Sequence, residues 1–192
     1  YVNREDGFAG YGLKKDEFIC DCSDIDDIIA FTDDGKMKVV RIADKVFIGK
    51  KILYAAVWKK EDERMTYHML YSDSKTGKAF AKRFNVTAIT RDKEYDLTQG
   101  NPKSKVWYFS ANPNSESEVI NIQLHPNAKA KIKIFDFDFG ELAVKGRSSM
   151  GNTVTKYALR KAVQKERGTS TLGGRKIWLD ETVGRLNIDS RG

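Results

Sequence analysis

A short apolar run, an acidic or polar turn and an answering alternating strand recur along this chain, and the recurrence constrains the fold more than any other feature. One copy reads Ile28-Ile29-Ala30-Phe31-Thr32-Asp33-Asp34-Gly35-Lys36-Met37-Lys38-Val39-Val40-Arg41. A second runs from Met69-Leu70-Tyr71-Ser72-Asp73 to Gly77-Lys78-Ala79-Phe80-Ala81-Lys82-Arg83. Weaker copies pair Trp107–Ser110 with Glu118–Ile122, Phe135–Phe139 with Gly140–Lys145, and Ile177–Asp180 with Gly184–Ile188, and Tyr1–Phe8 is a clipped first copy. Taking Val2, Phe31, Tyr71, Phe109, Phe137 and Leu179 as equivalent gives spacings of roughly 28 to 42 residues, the range of blades and solenoid units. Turns rich in Asp, Asn, Ser and Gly between strands of period-two alternation signal hairpins. The expected fold is therefore all-β, a propeller-like arrangement of about five or six hairpin blades in one domain covering residues 1–192, with strand edges protected by their neighbours. One stretch stays open. Thr153–Gly168 fits a helix through Val154, Tyr157, Ala158 and Ala162, and equally fits a strand followed by a loop.

The net charge of +7 is unevenly placed. Residues 1–96 carry equal numbers of basic and acidic side chains, so the whole excess lies in residues 97–192. Between Lys145 and Lys176 stand Lys145, Arg147, Lys156, Arg160, Lys161, Lys165, Arg167, Arg175 and Lys176 against a single acid, Glu166. Such one-sided clustering is the footprint of a polyanion-binding surface. No apolar run is long enough to cross a bilayer, and the start at Tyr1-Val2-Asn3-Arg4 reads as a piece of a longer soluble protein. Cys20 and Cys22, two residues apart, would point to one face of a strand, a poor geometry for a bridge. A reducing cytoplasm fits that.

At Lys145-Gly146-Arg147-Ser148-Ser149-Met150-Gly151-Asn152, joined to the hairpin copies, the sequence resembles the C-terminal domain of the A subunit of bacterial type IIA topoisomerases, DNA gyrase and topoisomerase IV. The turn Phe31–Lys38 is similar to that family's blade repeat, as are Gly77-Lys78 and Gly184-Arg185. The resemblance implies a β-pinwheel, a disc whose blades exchange strands and whose basic rim bends double-stranded DNA. It also implies that the catalytic tyrosine, the metal-binding domain and the ATPase lie elsewhere. The partners expected are DNA, the other domains of the parent A chain, and the ATPase B chain, with no membrane, no cofactor and no metal in this domain. Location would be cytoplasmic, at the nucleoid. The DNA-contacting candidates are Lys145, Arg147, Ser148, Ser149, Lys156, Arg160, Lys161, Arg175, Lys176 and Arg185, with Lys36, Lys38, Lys78, Lys82 and Arg83 of the earlier copies. The gyrase members carry a box of the form Gln-Arg-Arg-Gly-Gly-x-Gly, which this sequence lacks. That departure favours a topoisomerase IV-like parent. The physical logic holds independently: binding without base readout needs Lys and Arg spread along a surface, with Gly and Ser letting backbone N–H groups approach phosphates.

Catalytic patterns fail on their surroundings. Asp138-Phe139-Gly140 spells a kinase tripeptide without the accompanying loops, and reads as a turn. Phe135, Phe137 and Phe139 alternate with Asp136 and Asp138, which places the rings toward a core and the acids outward. A metal-dependent hydrolase built on Asp136, Asp138 and Glu141 lacks a His or Lys partner. The cluster Asp21, Asp24, Asp26 and Asp27 lacks the central Gly and closing Glu of a calcium loop. Ser72–Lys75 and Lys75–Gly77 share one lysine in one turn, a geometry no β-lactamase site uses, and Gly168–Lys176 lacks the Gly-Lys-Ser/Thr of a phosphate loop. Trp58, Trp107 and Trp178 sit in apolar strands and are expected in cores. A propeller that binds proteins is the remaining alternative, and it leaves the basic excess unexplained.

Overall fold

The computed structural model describes residues 1–170 and the backbone of two further strands. In chain order the strands are β1 (Val2–Asn3), β2 (Phe8–Ala9), β3 (Asp27–Thr32), β4 (Lys36–Arg41), β5 (Val46–Phe47), β6 (Ile52–Trp58), β7 (Thr66–Ser72), β8 (Ala79–Asn85) and β9 (Glu94–Asp96). They continue as β10 (Lys105–Asn112), β11 (Glu116–Leu124), β12 (Ile134–Asp138), β13 (Lys145–Gly146), β14 (Asn152–Thr155), β15 (Leu159–Ser170), β16 (Lys176–Asp180) and β17 (Arg185–Asp189). Only two short 3₁₀ turns, Pro113–Ser115 and Phe139–Glu141, interrupt this all-β succession among the described residues.

Five small sheets result. Sheet 1 has the order β1-β2-β5, sheet 2 β6-β3-β4-β9, sheet 4 β12-β11-β15 and sheet 5 β16-β17. Sheet 3 runs β10-β7-β8, and the outer edge of β8 is shared between β13, parallel at Phe84–Asn85, and β14, antiparallel at Ala79–Ala81. A single rule generates the order. After each new hairpin the chain returns to the preceding sheet and adds a strand to its outer edge, then comes forward to flank the hairpin it has just made. Thus β5 closes sheet 1 after the β3–β4 hairpin, β9 closes sheet 2 after β7–β8, and β13 with β14 closes sheet 3 after β11–β12. The exchange interlocks neighbours and covers strand edges without a closed barrel, as a β-pinwheel requires.

Burial explains the apolar runs. Along β3, Ile28 and Ala30 face a core shared with sheet 1, containing Val2, Ile48 and Ile52, while Ile29 and Phe31 face a core shared with sheet 3. There the Phe31 ring lies 4.7 Å from Tyr67 and 4.4 Å from Phe109. Along β7, Met69 and Tyr71 join that same core, and Leu70 enters a third core with Ile120, Ile122 and Phe139 of the sheet 4 hairpin. Sheets buried on both faces need continuous rather than alternating apolar sequence.

Two parsings of the sequence are corrected by this topology. Trp107–Ser110 belongs to β10 and pairs with β7, so it forms no hairpin with Glu118–Ile122; that segment lies in β11 and pairs with Ile134–Asp138. The third and fourth copies are therefore one unit with a long loop. Thr153–Gly168 is strand: β14, then β15, which flanks β11. The two cysteines lie in a segment without regular structure, both free, so no strand geometry governs them.

Candidate nucleic-acid interface

Each hairpin tip is bonded to a strap that crosses between sheets, and these ties recur in order along the run of the chain. Asp33, at the β3–β4 tip, donates its N–H to Lys51 O (3.1 Å) on the strap from sheet 1, and its carbonyl accepts from Val106 N (2.9 Å) at the start of β10. The β7–β8 tip is tied to the next strap by Asn101 Nδ2 donating to Asp73 Oδ1 (2.5 Å) and Ser74 Oγ donating to Pro102 O (2.5 Å). The β11–β12 loop follows suit, with His125 N donating to Ala158 O (2.8 Å) on the strap between β14 and β15. Charge changes along this run. Around sheet 2, Lys36 is paired with Asp96 (2.7 Å), Asp27 takes both Arg41 and Arg91 (each 3.0 Å), and a cavity of about 250 Å³ mixes Lys36, Lys38, Lys50 and Lys51 with Asp33, Asp34 and Glu94. Around sheets 3 and 4, Asp73, Glu116, Glu118, Asp136 and Asp138 are engaged by neighbouring groups, and Glu141 and Glu166 are exposed without an ion pair among the described residues. Burial pushes the Asp73 carboxyl up, but bonds from Thr76 and Asn101 outweigh it and hold the group below the usual range, anionic inside its own turn. Lys75 and Lys78 on that tip, and Lys145, Lys156, Arg160 and Lys161 further on, are exposed with no ion pair among the described residues. Arg160 stands at a bulge, where the β11–β15 register slips between Gln123 and Leu124.

Several sequence candidates are placed differently. Ser148 is exposed, whereas Arg147 is half-buried with its guanidinium 4.2 Å above the Tyr95 ring, and Ser149 is half-buried with an Oγ that has no partner among the described residues. Beside Ser149 a cavity of about 240 Å³ opens between β8 and the Gly146–Gly151 loop, lined also by Lys145, Asn152 and Glu141. Gly151 is required there: its φ is +91°, and a Cβ would meet Ala81 O at 2.5 Å. Lys82 and Arg83 are corrections. They are 1% and 3% exposed, because β8 is covered on both faces, and neither reaches solvent. Lys82 Nζ donates to Leu97 O (2.8 Å), Arg147 O (2.6 Å) and Ser149 O (2.9 Å), clasping the end of β9 in sheet 2 to the loop that closes sheet 3. Arg83 donates to Ser115 O (2.9 Å) and Leu142 O (3.4 Å). Arg175 lies outside the described residues, and Lys176 and Arg185 are placed only by backbone, opposite Asp189 and Asp180 in the β16–β17 hairpin.

Burial pushes Lys82 down to about 8, which still leaves the ammonium dominant at neutral pH, where three carbonyls need it. Lys82→Ala strands those carbonyls. The expected cost is about 3 kcal/mol, read as a fall of about 6–12 °C in Tm, while Lys78→Ala on the exposed tip leaves Tm unchanged; equal effects would deny the clasp.

The comparisons with known proteins decide what carries this surface. The sequence profile of the family described as topoisomerase C-terminal domain, Bacteroidota, matches residues 1–167. The chain belongs to this topoisomerase C-terminal domain family. It is also 29% identical over 162 residues to the A subunit of DNA topoisomerase 4 from Borreliella burgdorferi, an alignment that takes in 84% of this chain and 24% of that protein. The chain thus spans about a quarter of its relative's length.

Within this topoisomerase domain the acids singled out by sequence have local duties. Asp136 accepts from Asn121 (3.0 Å) and pairs with Lys165, Asp138 caps Gly140 N (2.7 Å), and Asp26 accepts from Ser23 N (2.7 Å). The alternation Phe135–Phe139 points as expected, with Phe139 fully buried and stacked 4.5 Å from His68. Sequence reading missed the most elaborate polar cluster among the described residues. Glu118, wholly buried between sheets 3 and 4, accepts from His68 Nδ1 (2.7 Å), Tyr108 Oη (2.7 Å), Gln164 Nε2 (2.9 Å) and Ser110 Oγ. Burial raises the Glu118 carboxyl, yet these four donors bring it down to about 2, and burial outweighs the carboxylate in lowering His68. The pair is therefore a carboxylate beside a neutral imidazole, both 0% exposed, and it ties β7 and β10 of sheet 3 to β11 and β15 of sheet 4. Sequence reading also passed over Lys129, Lys131 and Lys133, alternating in the exposed β11–β12 loop. The signal was there, an acid-free basic run, but it fell in the gap between two supposed repeats.

None of the described helices is long and apolar enough to cross a membrane.

Proposed function

We propose that this domain binds duplex DNA without reading its sequence, along the tips and straps of sheets 3 and 4, and bends it toward the catalytic core of a topoisomerase IV-like parent enzyme. The observation that carries the proposal is local charge balance: sheet 2 pairs Lys36, Arg41 and Arg91 with acids and sets Lys38, Lys50 and Lys51 in a cavity with Asp33, Asp34 and Glu94, whereas Lys145, Lys156, Arg160 and Lys161 are exposed on a stretch that holds no acid, and Lys75 and Lys78 have no ion pair among the described residues, on a chain of this family. Unneutralised, spaced cations are what phosphate contacts need. Ser148 and the Gly146–Gly151 loop add backbone and hydroxyl donors, and Lys82 and Arg83 support the interface from within. The partners proposed are double-stranded DNA, the other domains of the parent chain, and the ATPase chain of the same enzyme, in the cytoplasm.

Parallel neutralisation tests the surface. Replacing Lys145, Lys156, Arg160 and Lys161 by Gln should flatten the dependence of log K on log[salt] by about 0.9 for each phosphate no longer neutralised. Replacing Lys14, Lys15, Lys59 and Lys60 should leave the slope unchanged, and equal losses from the two sets would remove the basis for the surface.

The domain is proposed to be non-catalytic, since no exposed nucleophile stands beside a positioned base among the described residues. Supercoiled plasmid incubated with it and Mg²⁺ should stay intact. Breaks that disappear in an Asp136→Asn, Asp138→Asn variant would show otherwise.

A further inference from the structure

The loop joining β11 to β12 combines two properties that seldom coincide. It is cationic, with Lys129, Lys131 and Lys133 and no acid between Leu124 and Asp136. It also presents Ile132 at 69% exposure, followed by Ile134 at 60%. The loop is nonetheless built rather than loose. Leu124 N donates to Lys133 O (2.8 Å), Ala128 N to His125 O (2.9 Å), and Lys133 Nζ to Pro126 O (2.5 Å). Ala128 and Ala130 pack against the core shared by sheets 3 and 4, and this anchoring fixes which side of the loop faces outward. Ile132 is therefore held out in solvent by a loop whose inward positions are already taken. His125 N, bonded to Ala158 O, sets the loop beside the strap that carries Lys156.

We propose that this loop is a wedge for duplex DNA: its lysines engage the phosphates and Ile132 enters a base step from the minor groove, kinking the duplex. Apolar side chains flanked by cations kink DNA in this way, and the kink lets more of the duplex reach the protein surface. A protein partner fits less well, because two isoleucines fall short of the several hundred Å² of contiguous apolar surface that marks a protein docking site, and their flanks carry one sign of charge. The inference rests on the DNA-binding reading above and adds to it a local unstacking that phosphate contacts alone do not produce.

The test uses the full chain and duplexes carrying 2-aminopurine at successive steps, with end-to-end energy transfer measured on the same complexes. Wild type should raise 2-aminopurine fluorescence several-fold and bring the duplex ends closer. Ile132→Ala and Ile132→Ser should lose the fluorescence rise and most of the bend while keeping low-salt affinity within about tenfold, because the lysines remain. Both substitutions are at an exposed position, and unchanged thermal melts will confirm that the fold is kept. Binding by wild type without a fluorescence rise, or a rise undiminished in the Ile132 variants, overturns the wedge and leaves DNA binding standing. Absence of any wild-type binding at low salt overturns the DNA-binding reading itself, and the wedge with it.

Discussion

Raising salt from about 50 to about 200 mM is expected to weaken duplex binding by roughly 10³–10⁵-fold, the loss that accompanies neutralisation of about 6–10 phosphates. The exposed cations of sheets 3 and 4, Lys75, Lys78, Lys129, Lys131, Lys145, Lys156, Arg160 and Lys161, are enough to reach that number without help from sheet 2. They are distributed over tips and straps rather than gathered in one pocket, so a straight duplex touches only some of them. Bending a segment of about 20–30 base pairs costs on the order of 1–6 kcal/mol, and the additional phosphate contacts must supply it. Affinity should therefore rise with duplex length until the basic arc is filled and then level off. Among the described residues nothing resembles a recognition helix, so unrelated sequences of one length should bind alike. Labelled duplexes of graded length, followed by affinity and energy transfer across a salt series, measure all three behaviours. Tight binding to one sequence that persists at high salt with the ends no closer would replace the bending surface by a specific reader.

How much of this was legible beforehand follows from what sequence periodicity encodes. The hairpins β3–β4 and β7–β8 were readable because tight turns with Gly35 and Gly77 at positive φ mark them, and each strand's apolar content reports burial. The all-β class followed. The exchange of strands between sheets did not, because β5, β9 and β13 are two or three residues long and owe their place to neighbours rather than to their own pattern. The same limit misplaced Lys82 and Arg83. In a sheet with one wet face, a basic residue in an alternating strand points to solvent, but β8 is covered on both faces, and its cations survive burial by bonding to carbonyls of four different segments. Local charge counting correctly found the basic half of the chain. It could not tell a cation free to meet a phosphate from one such as Arg147, half-buried with its guanidinium over the Tyr95 ring.

Removing the Glu118 carboxylate should cost more stability than any surface substitution in the domain. Glu118→Ala leaves His68, Tyr108, Ser110 and Gln164 without their common acceptor in a site closed to water, and breaking a buried charged interaction of this kind costs about 3–5 kcal/mol. That corresponds to a fall in Tm of about 6–20 °C for a chain of this size. Glu118→Gln keeps the volume but turns an acceptor of four bonds into a group whose amide faces donors, so it should recover only part of the loss. The pH dependence has a definite sign. A carboxyl held at about 2 in the fold, against an ordinary 4.5, contributes fully above pH 4.5 and loses its contribution as pH falls from 4.5 to about 2. His68, held neutral by burial, acts in the same direction, because the unfolded chain takes up its proton first as pH drops below 6.5. Urea unfolding of wild type and Glu118→Gln at pH 7, 5 and 3 separates the two contributions. The gap between the proteins should be widest at pH 7 and 5 and narrow at pH 3, where the wild type has begun to lose what the variant never had. A gap independent of pH would mean that Glu118 holds sheets 3 and 4 together by shape and not by charge.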